Sequence, residues 1–339
     1  MLHIINLLCG TGIFLLGITV MSESVEDAFG QRLEGILSRL TKNKLSGVIT
    51  GFAVTGAIQS SAATTVMTVS FVNSGIMTLE SAAGIVMGAN IGTTVTSLLI
   101  AFNFSSVAPI FIFLGAMIKL FSRNKTRQNI GMLLAGFGML FLGMNTMSDS
   151  FAHLKENPAF LSFVAATKGK AASVLTGFVM TAIMQSSSAT VGILQALARQ
   201  GIIPIDSAIY IIFGQNIGAV IPTLISIIGK NRASKSVGVL HLLFNILGTI
   251  IFSAAAVFIP FADILKIIPS PDMQVSVMHM GFNVVSTILL LPFTNGMINI
   301  CTAVTGFPFK RRKQLSPYAC GDRFRFIRHR THKADQQDI

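Results

Sequence analysis

An apolar segment built around Gln-Ser-Ser occurs twice in this chain, as TGFAVTGAIQSSAAT at Thr50–Thr64 and TGFVMTAIMQSSSAT at Thr176–Thr190. The step from Gln59 to Gln185 is 126 positions, and the same offset holds without a gap on either side of the motif. Gly10, Gly12, Gly17 and Met21 fall on Gly136, Gly138, Gly143 and Met147. Further on, Gly75, Ile76 and Ser81 fall on Gly201, Ile202 and Ser207, and Asn90-Ile91-Gly92 falls on Asn216-Ile217-Gly218. The chain is an internal duplication. Polar residues at matching points of two otherwise apolar membrane repeats point to a binding site at the repeat interface.

That the repeats are membrane repeats follows from composition. Hydrophobic residues make up 52% and charged residues 11% of 339, with a mean hydropathy of +0.70. A water-soluble fold of this length carries about twice that share of charge. The first apolar stretch is long enough to span and belongs to the repeat, so no cleavable leader is expected. Cys9, Cys301 and Cys320 have neither the spacing of a metal site nor the even number of a disulfide framework. Nine of the 25 Lys and Arg residues lie between Lys310 and Lys333, and such a cluster just beyond an apolar span marks a cytoplasmic C-terminus. Phe324 and Phe326 among these arginines would also suit nucleic acid. The simpler reading is a solvated tail that fixes orientation and meets anionic membrane lipid, with no nucleic-acid partner.

Seven stretches are long and apolar enough for full crossings: residues 2–22, 77–102, 106–121, 129–147, 203–228, 236–260 and 276–299. Residues 47–75 and 173–201 differ, because each is interrupted near its middle by Gln-Ser-Ser. The arm Gly47–Ile58 covers only about half of a 30 Å hydrocarbon core at about 1.5 Å per residue, so both segments are expected to be re-entrant hairpins. With hairpins returning to the side they entered, Arg32, Arg39, Lys42 and Lys44, then Arg123, Lys125 and Arg127, then Lys230, Arg232 and Lys235 share the cytoplasmic face with the tail. The N-terminus is then outside, and Lys155, Lys168 and Lys170 form the one exception to the charge rule. Helical spacing of Val25, Phe29, Leu33, Ile36, Leu37 and Leu40, with charges between them, predicts an interfacial helix ahead of the first hairpin.

The expected fold is an all-α integral membrane protein of inverted-topology repeats, each with a re-entrant helical hairpin. Residues 1–127 form the first repeat, 128–300 the second, and 301–339 a basic cytoplasmic tail. Three crossings in the first repeat turn the second upside down, so that two hairpin tips meet near the midplane in a site reached from either side in turn.

Irregular backbone at membrane depth is tolerated only where it lines a cavity or holds a ligand. At each tip the second arm begins near Ser60 or Ser186, and its free N–H groups suit an anion. Carbonyls ending the first arm, and the side chains of Gln59 and Gln185, suit a hard cation. Two helix N-termini offset about one unit of a dianion, and neither hairpin core contains Lys or Arg, so a cation must accompany a divalent anion. The deepest acids by sequence, Glu80 and Asp206, each open a helix where a carboxylate favours the dipole. Protons are therefore the weaker coupling candidate and sodium the stronger. His241 with Asn245, and His279 with Asn283, each share a helix face; interhelical packing is the favoured role. Asn90 and Asn216 divide evenly between ligand support and packing.

At these motifs the sequence resembles the type II sodium/phosphate cotransporter family, whose members carry two inverted repeats, each with a QSSS-like hairpin motif and a downstream Asn-Ile-Gly-Thr segment. The resemblance implies sodium-coupled symport of inorganic phosphate, with sodium as coupling ion and no other cofactor. By matching motif, Gln59, Ser60 and Ser61, and Gln185, Ser186, Ser187 and Ser188, would line the phosphate and sodium sites, with Thr64 and Thr190 a turn deeper. Two departures remove hydroxyls: Ala62 stands where a third serine is common, and the second downstream segment reads NIGAV rather than NIGTT. A passive anion channel and an intramembrane serine enzyme are the competing readings. A single active site gives no reason for duplicated serines.

Overall fold

The computed structural model describes residues 2–307 except 42, 103, 156, 159, 161 and 163–168. The basic tail, Lys42, Lys168 and Cys320 lie outside the described residues. Helices account for nearly all of the rest: α1 (Leu2–Leu40), α2 (Lys44–Ile58), α3 (Ser61–Asn73), α4 (Leu79–Ala101), α5 (Ala108–Phe121) and α6 (Lys125–Leu154), then α7 (Lys170–Met184), α8 (Ser187–Arg199), α9 (Ile205–Gly218), α10 (Ile221–Ser226), α11 (Arg232–Phe258), α12 (Phe261–Leu265), α13 (Pro271–Leu290) and α14 (Thr294–Thr305). Among the described residues, six stretches are long and apolar enough to cross a membrane: 3–40, 79–101, 125–154, 205–226, 232–258 and 271–305. The protein is a multi-pass membrane protein. The expected crossing at 106–121 is a shorter helix, Ser105–Phe121, at the lower end of spanning length. Two of the six are interrupted, each beside a proline: Pro222 lies in the first turn of α10, and Pro292 sits in one turn of 3-10 helix between α13 and α14.

The separate interfacial helix expected at Val25–Leu40 is corrected by the structure. Those residues continue α1, which runs unbroken for 39 residues, about twice the length a hydrocarbon core requires. Of the stripe, Val25 and Leu37 are buried against protein, whereas Ile36 and Leu40 are exposed.

Equivalent helices of the two repeats pack on each other, and their contacts show the inversion. A Cβ on Gly10 would sit closer than 3 Å to the Met147 backbone, and one on Gly136 equally close to Met21. Gly17 meets Leu140 in the same way, and Gly143 meets Phe14. Each contact has its mirror at the 126 offset, as a two-fold isologous interface requires. Low numbers on α1 meet high numbers on α6, so the equivalent helices are antiparallel and the repeats are inverted.

Within each repeat a second seam recurs in the same register. Gly51 lies against Ile85, Gly88 against Val48 and Gly92 against Phe52; in the second repeat Gly177 lies against Ile211, Gly214 against Val174 and Gly218 against Phe178. Gly84, Gly88 and Gly92 meet Lys44, Val48 and Phe52 in turn, and Gly214 and Gly218 meet Val174 and Phe178, so α2 runs parallel to α4, and α7 parallel to α9. No side chain fits at these crossings. Small residues there let backbones approach closely, which is how helices associate where water supplies no drive. The main core is centred on Phe14, Phe141, Phe213 and Phe282, all fully buried.

Candidate functional site

Each Gln-Ser-Ser motif is a helix break of one design. The helix α2 ends at Gln59 and α3 begins after Ser60; α7 ends at Gln185 and α8 begins after Ser186. Gln59 and Gln185 take left-handed backbone conformations, φ 61° and 52°, the only non-glycine positive φ values among the described residues. The amide N–H of each closes the helix by donating to Thr55 (2.7 Å) or Thr181 (2.8 Å). Ser60 and Ser186 then cap the next helix, each hydroxyl accepting from the N–H three residues on, at Ala63 and Ala189, both at 3.2 Å. A left-handed closure followed at once by an N-cap turns the chain sharply. The arms stay close enough for the Thr55 hydroxyl to donate to Thr64, and Thr181 and Thr190 pair likewise, both at 2.9 Å.

The described arms, 44–73 and 170–199, begin three residues before the expected hairpins and end two before their expected ends. Thr64 and Thr190 are fully buried. They spend their hydroxyls locking the arms together and lie outside the cavity lining.

The two tips meet. A cavity of about 50 Å³ is lined by Gln59, Ser60 and Ser61 from one tip and by Gln185, Ser186, Ser187 and Ser188 from the other, with Ala62, Ala219 and Pro222 completing the wall. One water needs about 10–15 Å³ of such space, so several small species fit. The N-termini of α3 and α8 both open onto this volume, where unsatisfied backbone N–H groups and partial positive charge favour an anion. All seven Gln and Ser positions named from the sequence come together here. Ala219, marked in the sequence as the lost hydroxyl of NIGAV, stands on this wall; sequence reasoning missed Pro222, which carries no polar signal, and Thr96 of α4. The Thr96 hydroxyl donates to Gln59 Oε1 and accepts from the Ser188 hydroxyl at 3.3 Å.

The side-chain amides of Asn90 and Asn216 each donate to the carbonyl four residues back, on Val86 and Ile212, at 2.8 Å. Both asparagines are buried within their helices, away from the cavity wall. Asn245 and Asn283 bond back to His241 and His279 in the same way, and His241 Nδ1 meets the Thr223 hydroxyl at 3.1 Å, an interhelical contact. Not every first-arm carbonyl is free, because the Ser22 hydroxyl donates to the Ile58 carbonyl at 2.9 Å.

The deepest acid is neither Glu80 nor Asp206. Glu80 and Asp206 open α4 and α9, as expected, but Asp272 in the first turn of α13 is buried and paired with Arg199 at the end of α8. Its second oxygen accepts from Ser270 and from the Met273 N–H. Beside this pair, the Gln195 amide donates to the Ser97 carbonyl and to the Ser276 hydroxyl, at 2.9 and 2.6 Å.

Comparison with known proteins agrees with this architecture. The family described as Na+/Pi-cotransporter matches at residues 13–149 and again at 143–287, once per repeat. "Putative inorganic phosphate export protein YjbB" of Escherichia coli (strain K12) is 27% identical over 324 residues, 94% of this chain and 58% of that protein. "Uncharacterized protein YqeW" of Bacillus subtilis (strain 168) is 28% identical over 290 residues, 83% of this chain and 92% of that protein. "Sodium-dependent phosphate transport protein 2A" of Rattus norvegicus is 35% identical over 91 residues, 26% of this chain and 14% of that protein. The chain thus spans little more than half the length of the YjbB proteins it matches. No solved structure matches the chain significantly. Two family matches covering both halves, with their paired Gln-Ser-Ser breaks brought to one cavity, lead to one conclusion: this chain belongs to the Na+/Pi-cotransporter family.

Proposed function

We propose that the protein carries inorganic phosphate across the cytoplasmic membrane together with sodium, by alternating access around the cavity between the two tips. The observation behind this reading is the convergence of both Gln-Ser-Ser breaks, with two helix N-termini, on one polar cavity. Each N-terminus supplies about half a positive charge, so the pair offsets about one unit of a phosphate dianion. Arg199 is engaged by Asp272 and does not supply the rest. Sodium does, held by the Gln185 side-chain oxygen, with Gln59 as its counterpart, and by carbonyl oxygens at the arm ends. The buried acid is committed to an ion pair, which disfavours proton coupling.

Family membership supports both phosphate and sodium. The names of relatives include an export protein and a sodium-dependent transport protein. A symporter runs in whichever direction the combined gradients dictate, so one mechanism serves both. In this reading both hairpins are re-entrant, residues 1–127 and 128–300 are the two moving halves, the N-terminus is outside, and the tail at 301–339 is cytoplasmic against anionic lipid.

Reconstitution of the full chain in proteoliposomes tests this. Labelled phosphate is expected to accumulate against its own gradient while an inward sodium gradient lasts, and to stop when an ionophore dissipates it. Phosphate that runs only downhill, whatever the sodium gradient, indicates a passive channel instead. Gln185→Ala is expected to raise the sodium concentration for half-maximal uptake severalfold. An unchanged sodium curve removes Gln185 from the cation site.

A further inference from the structure

The two halves of the cavity are not equivalent, and the difference is concentrated in one hydrogen-bond chain. By the 126 offset, Thr96 corresponds to Pro222 and Ser188 to Ala62. On one side the Thr96 hydroxyl gives its proton to Gln59 Oε1 and receives that of Ser188, so it joins the first tip to the second. Its symmetry counterpart would be a hydroxyl at Pro222 joining Gln185 to residue 62. Neither Pro222 nor Ala62 has one.

Two further bonds follow the same division. The Gln59 side-chain amide donates back to the Gly56 carbonyl, and Ser22 holds the Ile58 carbonyl. At the second tip the Gln185 side chain is exposed and makes no hydrogen bond among the described residues. Ser148, the counterpart of Ser22, instead accepts from the Gln200 amide at 2.9 Å. The amide of Gln59 is therefore fixed at both ends, while that of Gln185 is free. The cavity faces both.

We propose that Thr96 is a positioning residue for the substrate site, whose hydroxyl bridges the two tips so that the Gln59 half is built before ligand arrives and binding has only to order Gln185. Thr96 lies outside the cavity wall and acts through Gln59 and Ser188. Preorganisation of this kind raises affinity by removing an ordering cost. Losing the bridge therefore weakens ligand binding rather than the maximal rate. The inference rests on phosphate and sodium as the ligands of the cavity.

The test uses the full chain in proteoliposomes, with phosphate uptake measured across a range of phosphate concentrations. In parallel, the melting shift produced by phosphate plus sodium is measured on the same protein in detergent. Thr96→Val keeps the shape and loses the hydroxyl; it is expected to raise the phosphate KM about tenfold, the cost of about one net hydrogen bond, at near-wild-type maximal rate. Thr96→Ser is expected to recover most of the affinity. Ser188→Ala removes the other end of the bridge, and the Thr96→Val/Ser188→Ala double variant is expected to be no worse than the worse single one.

Wild-type KM in Thr96→Val, equal losses in the Val and Ser variants, or additive losses in the double variant overturn the bridge. Should Thr96→Val fail to fold, Ser188→Ala must raise KM by itself, and a wild-type KM there overturns the proposal. If the wild-type chain accumulates no phosphate, the transport reading falls and the bridge is judged on the melting shift. Thr96→Val must then lose the ligand-induced shift that Thr96→Ser keeps, and equal shifts overturn it.

Discussion

Gln59 and Gln185 sit in backbone conformations that glycine adopts without strain and that cost other L-residues about 1–2 kcal/mol. Both positions keep an amide side chain where a glycine would relieve that strain, which is the pattern of stability given up at a functional site. Gln59→Gly and Gln185→Gly are therefore expected to melt no lower than wild type while transporting poorly. Gln59→Val, β-branched, is expected to melt several degrees lower. Thermal unfolding in detergent alongside uptake separates the two effects, and wild-type uptake by both glycine variants would show the amides to be dispensable. The adjoining serines have a double duty: Ser60→Ala and Ser186→Ala each remove an N-cap, at about 1 kcal/mol, and a cavity hydroxyl. Both variants are expected to insert in the membrane and to lose most of their uptake; full activity would reduce the hydroxyls to caps.

Much of this was legible in the sequence because identical residue types recur at one spacing in an apolar background. The left-handed turn was not, since glutamine gives no local signal for it. Thr96 was hidden for another reason: its partners lie 37 and 92 residues away, and its counterpart Pro222 breaks the repeat that would have drawn attention to it.

At the level of helices, the outer ends of the two second arms are fastened differently. Asn73, the end of α3, meets Asn231 and Ser234 at the start of α11 through neutral hydrogen bonds of 3.2–3.3 Å. The equivalent residue at the end of α8 is Arg199, which meets the buried Asp272 at the start of α13 through a partly buried ion pair. Removing one member of a fully buried pair leaves an uncompensated charge and costs about 3–5 kcal/mol, less at this partly exposed one, whereas replacing both by apolar residues is often neutral. Asp272→Asn or Arg199→Met is expected to lower the melting temperature sharply, and Arg199→Met/Asp272→Leu to restore most of it. A double variant as unstable as the worse single one contradicts the assignment. This fastening was invisible in sequence because its partners stand 73 residues apart and nothing local marks Asp272 as buried. The continuity of α1 was missed for the opposite reason, since charged residues between Glu23 and Arg39 suggested an end to a helix that simply runs past the length a bilayer needs.

For the whole molecule, inversion places corresponding loops on opposite sides. Ser74 and Gln200, equivalent residues after the second arms, are expected to label from opposite faces when changed singly to cysteine in a chain lacking Cys9, Cys301 and Cys320. A membrane-impermeant maleimide applied to vesicles of known sidedness reads this directly, and labelling of both from one face would contradict re-entrant hairpins in an inverted pair. The paired-repeat architecture was open to sequence reasoning because spacing, hydropathy and basic clusters agree. The glycine seams gained meaning only once backbones were seen in contact, since a glycine in an apolar helix is otherwise uninformative.

The contact between α1 and α6 carries a genealogical consequence. Gly10 receives what Gly136 receives, and Gly17 what Gly143 receives, so each half offers the other a copy of its own face. A half-length ancestor inserted both ways up could have paired with itself through this same strip, and fusion of two such genes would have freed one copy to drift. Pro222 and Ala62, equivalent to Thr96 and Ser188 across the two-fold axis, are where the two copies now differ around the cavity.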